Sequence, residues 1–197
     1  TTAGVCCSSM AAFKSAYLSV LSGDSRAAIV TGSEASSKFM RSEFFESESE
    51  TELRALEKNP AIGFGHDFLR WMLSDGACAV YLSHQPVAGK CNLKVNWIEG
   101  RSYANEQKVC MLSGGYQADD GRVVPWKDLR LGGDVKQQTH AMNVHQDVRQ
   151  LREMAPVYTV ERALTDIKKK RGLHPGDYSW FLPHYSSHFF RDILAAS

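Results

Sequence analysis

The spacing of apolar residues predicts alternating helices and strands in the first half of the chain. Apolar side chains recur at helical intervals from Met10 to Leu21, and the pattern stops at Gly23, so a helix is expected to end there. Residues 27–34 are mostly small or β-branched, as in a strand buried on both faces. A second strand, at 78–82, follows the turn-forming pair Asp75-Gly76. A helix followed by strands favours an α/β layer architecture.

The second half of the chain has a more broken pattern. Residues 93–98 alternate as a strand does, whereas the stretch 99–138 is rich in Gly, Asp and Gln and is predicted to be irregular. The remaining predicted elements are a long helix at 142–171 that is interrupted at Pro156 and ended by Gly172, a buried strand at 179–183, and a terminal helix at 187–196.

Cys6 lies immediately before the first predicted helix. The first N–H groups of a helix have no helical carbonyl to bind, and the helix dipole places partial positive charge at the same end. Both effects favour the thiolate, which is the reactive form of cysteine. We therefore expect Cys6 to act as a nucleophile. For the neighbouring Cys7 we expect the ordinary state of a free cysteine, a small buried hydrophobic residue.

His184 follows a short aromatic and aliphatic run, residues 180–182, and Pro183. A strand there would deliver the imidazole to a strand end, where catalytic residues commonly project. We expect His184 and Cys6 to face one cavity as the base and the nucleophile of a single active site. The other histidines lack the spacing of metal ligands, so no metal is expected.

Composition and charge narrow the class of protein. With 197 residues, 43% hydrophobic and 23% charged, the chain is large enough for one substantial core. The net charge is +1 and the basic residues are scattered, with the densest run at 168–171, so nucleic acid is not an expected partner. The sequence has no long apolar stretch and no signal-peptide pattern, and its five cysteines form no disulfide framework. A cytoplasmic protein with free thiols and no membrane partner is expected.

Four segments, in order along nearly the whole chain, resemble the ketoacyl synthase III branch of the thiolase superfamily. The first, Val5-Cys6-x-Ser8-x-Met10, resembles the thiolase nucleophile segment, and the distance from Cys6 to the second, Gly32-Ser33-Glu34, is similar to that in synthase III and chalcone synthases. The third, Ser74-Asp75-Gly76-Ala77-Cys78-Ala79-Val80, is similar to the family's Gly-Asp-Gly-Ala-Gly-Ala-Val. The fourth runs from Asp177 to Trp180-Phe181-Leu182-Pro183-His184 and is similar to the family's Asp-Trp-x-x-Pro-His. Cys6 fits this spacing, and Cys7 misses it by one residue.

The resemblance implies a layered α-β-α-β-α thiolase-like fold, with residues 1–85 in its N-terminal half and 86–197 in its C-terminal half. It implies that Cys6 takes an acyl group from a thioester of coenzyme A or acyl carrier protein. His184 would then assist a Claisen condensation with a malonyl or ketoacyl partner in fatty acid, polyketide or secondary lipid biosynthesis. It further implies a homodimer and no permanently bound cofactor. The family's third catalytic residue, an asparagine, would lie beyond residue 197, so an internal fragment is expected.

Three departures from the family bear on the substrate. Tyr185-Ser186-Ser187 replaces Gln-Ala-Asn after the Pro-His pair, and Ser74 and Cys78 replace glycines. The stretch between Glu34 and Asp75 is about twice the family's usual length. We therefore expect residues 42–62, which include Phe44, Phe45, Leu53 and Leu56, to form a helical or lid element over the acyl pocket or dimer interface. A solvated acidic face is the alternative for this segment.

Two other functions compete with the condensing enzyme. A non-catalytic partner subunit of a synthase would shape its pocket, but such subunits usually lack the cysteine. A thiolase would need a second catalytic cysteine late in the chain, and Cys110 is too early for that role.

Overall fold

The computed structural model describes residues 2, 6–38, 40–41, 54, 57–58, 69, 71–118, 120–128, 142, 144–185 and 188–195. They belong to two compact units: Thr1–Lys38 with Ser74–Gly100, and Phe39–Leu73 with Arg101–Ser197. Each unit combines helices with short antiparallel sheets, so the chain is a mixed α/β protein. The four apolar residues of the expected lid, Phe44, Phe45, Leu53 and Leu56, lie outside the described residues.

Among its described residues, the first unit has one α-helix, a short 3₁₀ helix at Ser36–Lys38 and one two-stranded sheet. Helix α1 spans Ser8–Leu21, and strands β1, Ala27–Glu34, and β2, Gly76–Ser83, pair antiparallel along their whole length. The predicted helix and both predicted strands are therefore confirmed. Gly23 follows the helix with φ +79°, a conformation that side chains rarely adopt, which explains why the helical pattern stops there.

The prediction that β1 is buried on both faces is wrong. Val30, on the side that packs against α1, is 9% exposed, whereas its neighbour Ile29 is 69% exposed and Tyr81, the partner of Ile29 on β2, is 58% exposed. The small and β-branched composition of β1 predicted the strand correctly but not its surroundings. In the first unit α1 covers one face of the two-stranded sheet formed by β1 and β2, and alternate side chains point away from the helix.

The strand predicted at 93–98 is also wrong. These residues have no regular structure, and Leu93 is 92% exposed. A hydrogen bond from Tyr17 Oη to the carbonyl oxygen of Asn96, at 3.3 Å, ties the segment to α1. An alternating pattern forms a strand only where a second strand can bind its backbone groups, and no ladder partner pairs with 93–98 among the described residues.

Two short sheets belong to the second unit. Strand β3, Met111–Ser113, pairs antiparallel with β6, Val144–Gln146, and β4, Gly115–Gln117, pairs with β5, Val123–Pro125. The prediction of an irregular stretch at 99–138 is therefore wrong for these three-residue strands. Strands this short carry too few residues to show a period in the sequence.

One continuous helical rod follows β6. It consists of α2, Val148–Pro156, a π-helical segment, Val157–Leu164, and α3, Thr165–Arg171. The rod begins later than predicted, because Val144–Gln146 pairs with β3, and Asp147 caps it by accepting a hydrogen bond from the Gln150 N–H at 2.8 Å.

Pro156 does not interrupt this rod as expected. Proline removes one helical hydrogen bond, and the wider turns of the π-helical segment start at the very next residue, so the helix continues through it in altered form. Gly172 ends the rod in the left-handed conformation, φ +63°, as predicted. The last helix, α4, spans His188–Ala195 and confirms the predicted terminal helix. None of the helices in the described ranges is both long and apolar enough to cross a membrane.

Candidate functional site

Cys6 and Cys7 form the turn that leads into α1. Cys7 is the residue that caps the helix: its carbonyl oxygen accepts the first helical hydrogen bond, from the Ala11 N–H at 3.0 Å, while its side chain caps nothing. The N–H groups of Ser8, Ser9 and Met10 precede that first bond, and the first turn carries no acidic side chain. The start of a helix carries partial positive charge, which favours negative charge on nearby groups.

Both thiols at the helix start are exposed. For Cys6 this exposure suits a nucleophile, which must reach a substrate. For Cys7 it overturns the expectation of a buried cysteine, because a residue that precedes the first turn of a helix has few neighbours to cover it. Exposure alone therefore does not distinguish the two cysteines.

The start of α1 packs closely on the β1–β2 sheet, where the Ser9 side chain approaches Gly32. A Cβ on Gly32 would lie 2.8 Å from Ser9 Oγ and 3.3 Å from Ser9 Cβ, closer than side-chain atoms normally approach. Glycine at this position therefore lets the first turn of α1 approach β1 closely without displacing the Ser9 side chain. Gly32 pairs with Cys78 on β2, which brings that thiol to the same place. The Gly32-Ser33-Glu34 motif thus has a structural reason that links it to the cysteine helix.

Asp75 connects the end of β1 to the beginning of β2. Its carboxylate accepts hydrogen bonds from the Ser37 N–H at 2.8 Å and from the Ser37 hydroxyl at 2.6 Å. These two bonds, the hydroxyl bond above all, hold the pKa of the Asp75 carboxyl below its ordinary value. The residue thus ties the start of β2 to the segment that follows β1, but it lies in irregular backbone and Gly76 already belongs to β2, so the turn predicted at this pair is wrong.

His184 lies in an irregular segment, and the strand predicted at 179–183 is wrong. Trp180 and Leu182 are 82% and 85% exposed, and no strand of the described chain pairs with this segment. The apolar run predicted burial, but burial of a strand requires a ladder partner for its backbone as well as a core for its side chains. His184 itself is exposed.

Local structure does fix the approach to this segment. After Gly172, a short 3₁₀ helix, Pro175–Asp177, is closed by reciprocal bonds: the His174 N–H donates to Asp177 Oδ2 at 2.6 Å, and the Asp177 N–H donates to the His174 carbonyl oxygen at 2.9 Å. Asp177 of the Asp-Trp-x-x-Pro-His-like motif thus has a structural role seven residues before His184.

Cys6 belongs to the first unit and His184 to the second. The geometry within each unit defines the helix start and the approach to the histidine separately, so the pairing of the two side chains in one site stays a prediction.

A polar cluster in the second unit was missed by the sequence analysis. Arg162 binds the Glu106 carboxylate through both terminal nitrogens, at 2.5 and 3.1 Å, and its guanidinium carbon lies 4.5 and 4.8 Å from the ring centres of Tyr103 and Tyr158. Gln107 donates to the Tyr158 hydroxyl at 2.7 Å. The cluster fastens residues 103–107 to the π-helical segment. The only sequence signal was the pair Tyr158 and Arg162 four residues apart on a helix.

Charge pairing dominates the electrostatics of this cluster. The bidentate bonds from Arg162 hold the pKa of the Glu106 carboxyl below its ordinary value, and the same bonds raise the pKa of Arg162. Both side chains are about two-fifths exposed, so solvent screens the pair. Because Arg162 is already matched by a carboxylate, the cluster fits a positioning role better than anion binding.

The described residues contain no group of three or more His, Cys, Asp or Glu side chains arranged to hold a metal ion. Cys110, the cysteine considered and set aside as a second thiolase cysteine, is half-buried in the second unit. Burial, and secondly the charge of Asp147, raise the pKa of its thiol. These effects disfavour the reactive thiolate at Cys110.

No protein-family model matches this chain, and no curated protein matches it at a significant level. The likeness to synthase III therefore rests on the four short sequence motifs alone.

Proposed function

We propose that this protein is a Claisen-condensing acyltransferase of the ketoacyl synthase III type, built on a thiolase-like layered fold. The observation that carries the proposal is the placement of Cys6 at the uncapped start of α1, with the first turn of that helix packed on Gly32 of β1. An exposed thiol at the start of a helix whose capping side chain binds none of its N–H groups is a suitable place for a cysteine nucleophile in acyl transfer.

The first half-reaction is acylation of the thiol. The Cys6 thiolate attacks the carbonyl carbon of an acyl thioester, a carbon–sulfur bond forms, and the carbonyl oxygen becomes an oxyanion. As the tetrahedral intermediate collapses, the thiolate of coenzyme A or of the carrier protein leaves. Backbone N–H groups at the helix start stabilise the oxyanion, and one such donor contributes about 3 kcal/mol in other acyl-transfer sites.

The second half-reaction joins two carbon chains. A malonyl or ketoacyl partner loses carbon dioxide or a proton to give an enolate, which attacks the acyl-cysteine and releases the Cys6 thiolate. His184 holds the enolate oxygen or takes the proton. The proposal includes acyl carrier protein and acyl-CoA as partners, a homodimer, and a cytoplasmic setting, with a product in fatty acid, polyketide or secondary lipid biosynthesis.

The decisive measurement is the site of acylation. We expect incubation with a radiolabelled or mass-tagged acyl-CoA to acylate Cys6, with the adduct mapped by mass spectrometry of peptides. Cys6→Ala is expected to lower the labelling at least a thousandfold, because the bond-forming atom is removed.

Cys7→Ala is the matched control, since Cys7 is equally exposed and only one residue away. It is expected to keep most of the labelling. An adduct on Cys7, or a Cys6→Ala variant that is still acylated, would reject Cys6 as the nucleophile and with it this function.

A further inference from the structure

We propose that Cys78 is an oxidation partner of Cys6: when a peroxide oxidises Cys6, the Cys78 thiol captures it as a reversible disulfide. The inference rests on the proposed function in one respect, that Cys6 is the reactive thiol of this region. Cys78 stands where the family resemblance has a glycine, so the second thiol is a feature of this chain.

Cys78 and the first turn of α1 meet at Gly32. The point where a Cβ on Gly32 would stand is 2.8 Å from Ser9 Oγ and 3.9 Å from Cys78 Sγ. The Cys78 sulfur and the Ser9 side chain thus lie on the same face of the β1–β2 sheet, both close to Gly32. Cys78 is also exposed, so an oxidant and a reductant can both reach this thiol.

Cys6 stands three residues before Ser9, in the turn that leads into α1. The direction from residue 6 to residue 9 depends on the two residues between them, and Cys7 has helical dihedral angles, φ −90° and ψ −3°, while Ser8 begins α1. Residues three apart on a helical turn are neighbours on one face. If the helical turn extends back to Cys6, its side chain faces the side on which Ser9 meets Gly32 and Cys78, and the inference takes this geometry as its premise.

Cys7 is directed elsewhere, although it is adjacent in sequence. Successive residues of a helical turn are rotated by roughly 100° about its axis, so Cys7 points well away from the face of Cys6 and Ser9. A disulfide requires the two Cβ vectors to converge, and a pair of neighbours in helical backbone does not provide this. Cys78 on the facing strand is the better-placed partner.

The chemistry balances with hydrogen peroxide as the oxidant. The Cys6 thiolate attacks one peroxide oxygen, the O–O bond breaks, and Cys6 becomes a sulfenic acid while hydroxide leaves and is protonated to water. The Cys78 thiolate then attacks the sulfenic sulfur, the S–O bond breaks, and a second water forms. Two thiols have lost two electrons and two protons, and a dithiol such as dithiothreitol restores both.

The disulfide has a consequence for Cys6. Without a capturing thiol, continued exposure to peroxide carries a sulfenic acid to sulfinic acid, which ordinary thiols do not reduce. Capture by Cys78 stops the oxidation at a reversible stage. The pair therefore makes thiol reactivity at Cys6 recoverable after oxidative stress.

The test treats the full chain with hydrogen peroxide, blocks the remaining thiols, and maps disulfides in unreduced peptides by mass spectrometry. We expect a Cys6–Cys78 disulfide that dithiothreitol removes. In Cys78→Ser we expect at least a tenfold larger fraction of Cys6 as sulfinic acid after the same treatment. Cys91→Ser is the matched control, because Cys91 is an equally exposed thiol of the same unit, and it should behave as the unaltered chain does.

A Cys6–Cys7 disulfide, or equal loss of Cys6 with and without Cys78, would overturn the inference. The readout is separate from the condensing activity. If the disulfide forms but acyl-CoA does not label Cys6, the thiol pair stands and the proposed function fails. If labelling succeeds and no Cys6–Cys78 bond forms, the function stands and this inference fails.

Discussion

The two ends of the proposed active site are supported very differently within their own units. The nucleophile end has an α-helix whose first turn packs on β1, and β1 pairs with β2 along eight residues. The base end has an exposed, irregular segment leading to His184, with Trp180 and Leu182 largely in solvent. The sequence had predicted comparable order for both, a helix start at one and a buried strand at the other.

The difference teaches what a local pattern can determine. A helix satisfies its own backbone hydrogen bonds, so the pattern from Met10 to Leu21 is sufficient to produce α1. A strand depends on a second segment, and the pattern at 179–183 says nothing about whether one is present. Within the first unit, β1 has such a partner in β2, and the prediction for β1 therefore succeeded.

The largest expected effect tests the base end. His184→Ala should lower the rate of condensation by a factor of 10² to 10⁴, because it removes the group that holds the enolate oxygen or takes the proton. It should leave acylation of Cys6 within about tenfold of the unaltered rate, since the helix start belongs to the other unit. The two half-reactions are measured separately, by carbon–carbon product formation and by the acyl-enzyme adduct.

His188→Ala is the control for this change. His188 begins α4, four residues further on, and is also exposed. Condensation should be nearly unchanged in this variant. Equal losses in both variants would show that the segment acts through its folding, and an unaffected His184→Ala would remove the base from the proposal.

The next effect tests the close packing at the nucleophile end. Gly32→Ala places a Cβ 2.8 Å from Ser9 Oγ and 3.3 Å from Ser9 Cβ, so the Ser9 hydroxyl must rotate and the start of α1 must shift slightly; the free energy of unfolding should fall by roughly 1–3 kcal/mol, as for other overpacked sites. Acylation of Cys6 should slow as well, because the helix start moves. Both are measured on one preparation, by urea unfolding and by adduct formation.

Gly76→Ala is the matched control, since Gly76 is in the same two-stranded sheet and a Cβ there meets nothing within 4 Å. It should change stability by less than about 1 kcal/mol. Adding Ser9→Ala to Gly32→Ala should restore part of the loss, because the nearest atom is removed while Ser9 Cβ, at 3.3 Å, stays. Equal losses at Gly32 and Gly76 would contradict the role given to this contact.

How far the fold could be predicted from sequence follows the same distinction. Helices α1 and α4 and both glycine stops, Gly23 and Gly172, followed from local signals because helix ends are decided within a few residues. The two failed strands, 93–98 and 179–183, required knowledge of a partner. The short strands between residues 111 and 125 lacked enough residues for a period to show.

The site itself was predictable only in part. The place of Cys6 before α1 was visible, since a helix start is a local feature. Ser9 meets Gly32, and the Cys78 thiol lies beside them, because α1 packs on the β1–β2 sheet. No single sequence motif reveals that packing. The cluster around Arg162 combines residues more than fifty positions apart, one part from a stretch without periodicity.

The smallest expected effect concerns that cluster, which orders the second unit ahead of the base segment. Glu106→Gln removes the charge that pairs with Arg162 and should lower the thermal unfolding temperature near pH 7. The pKa of Glu106 is below its ordinary value of 4.5, so its stabilising effect is complete above that value and is lost as the pH falls through the folded pKa. The gap between the unaltered chain and Glu106→Gln should therefore be constant from pH 7 to about 5.5 and should close in more acidic solution. Glu153→Gln is the comparison, because its ion pair with Arg149, at 3.0 Å, is more exposed and makes a smaller contribution. A gap that stays the same at every pH would mean that the aromatic contacts of Arg162 hold the cluster without help from the Glu106 charge.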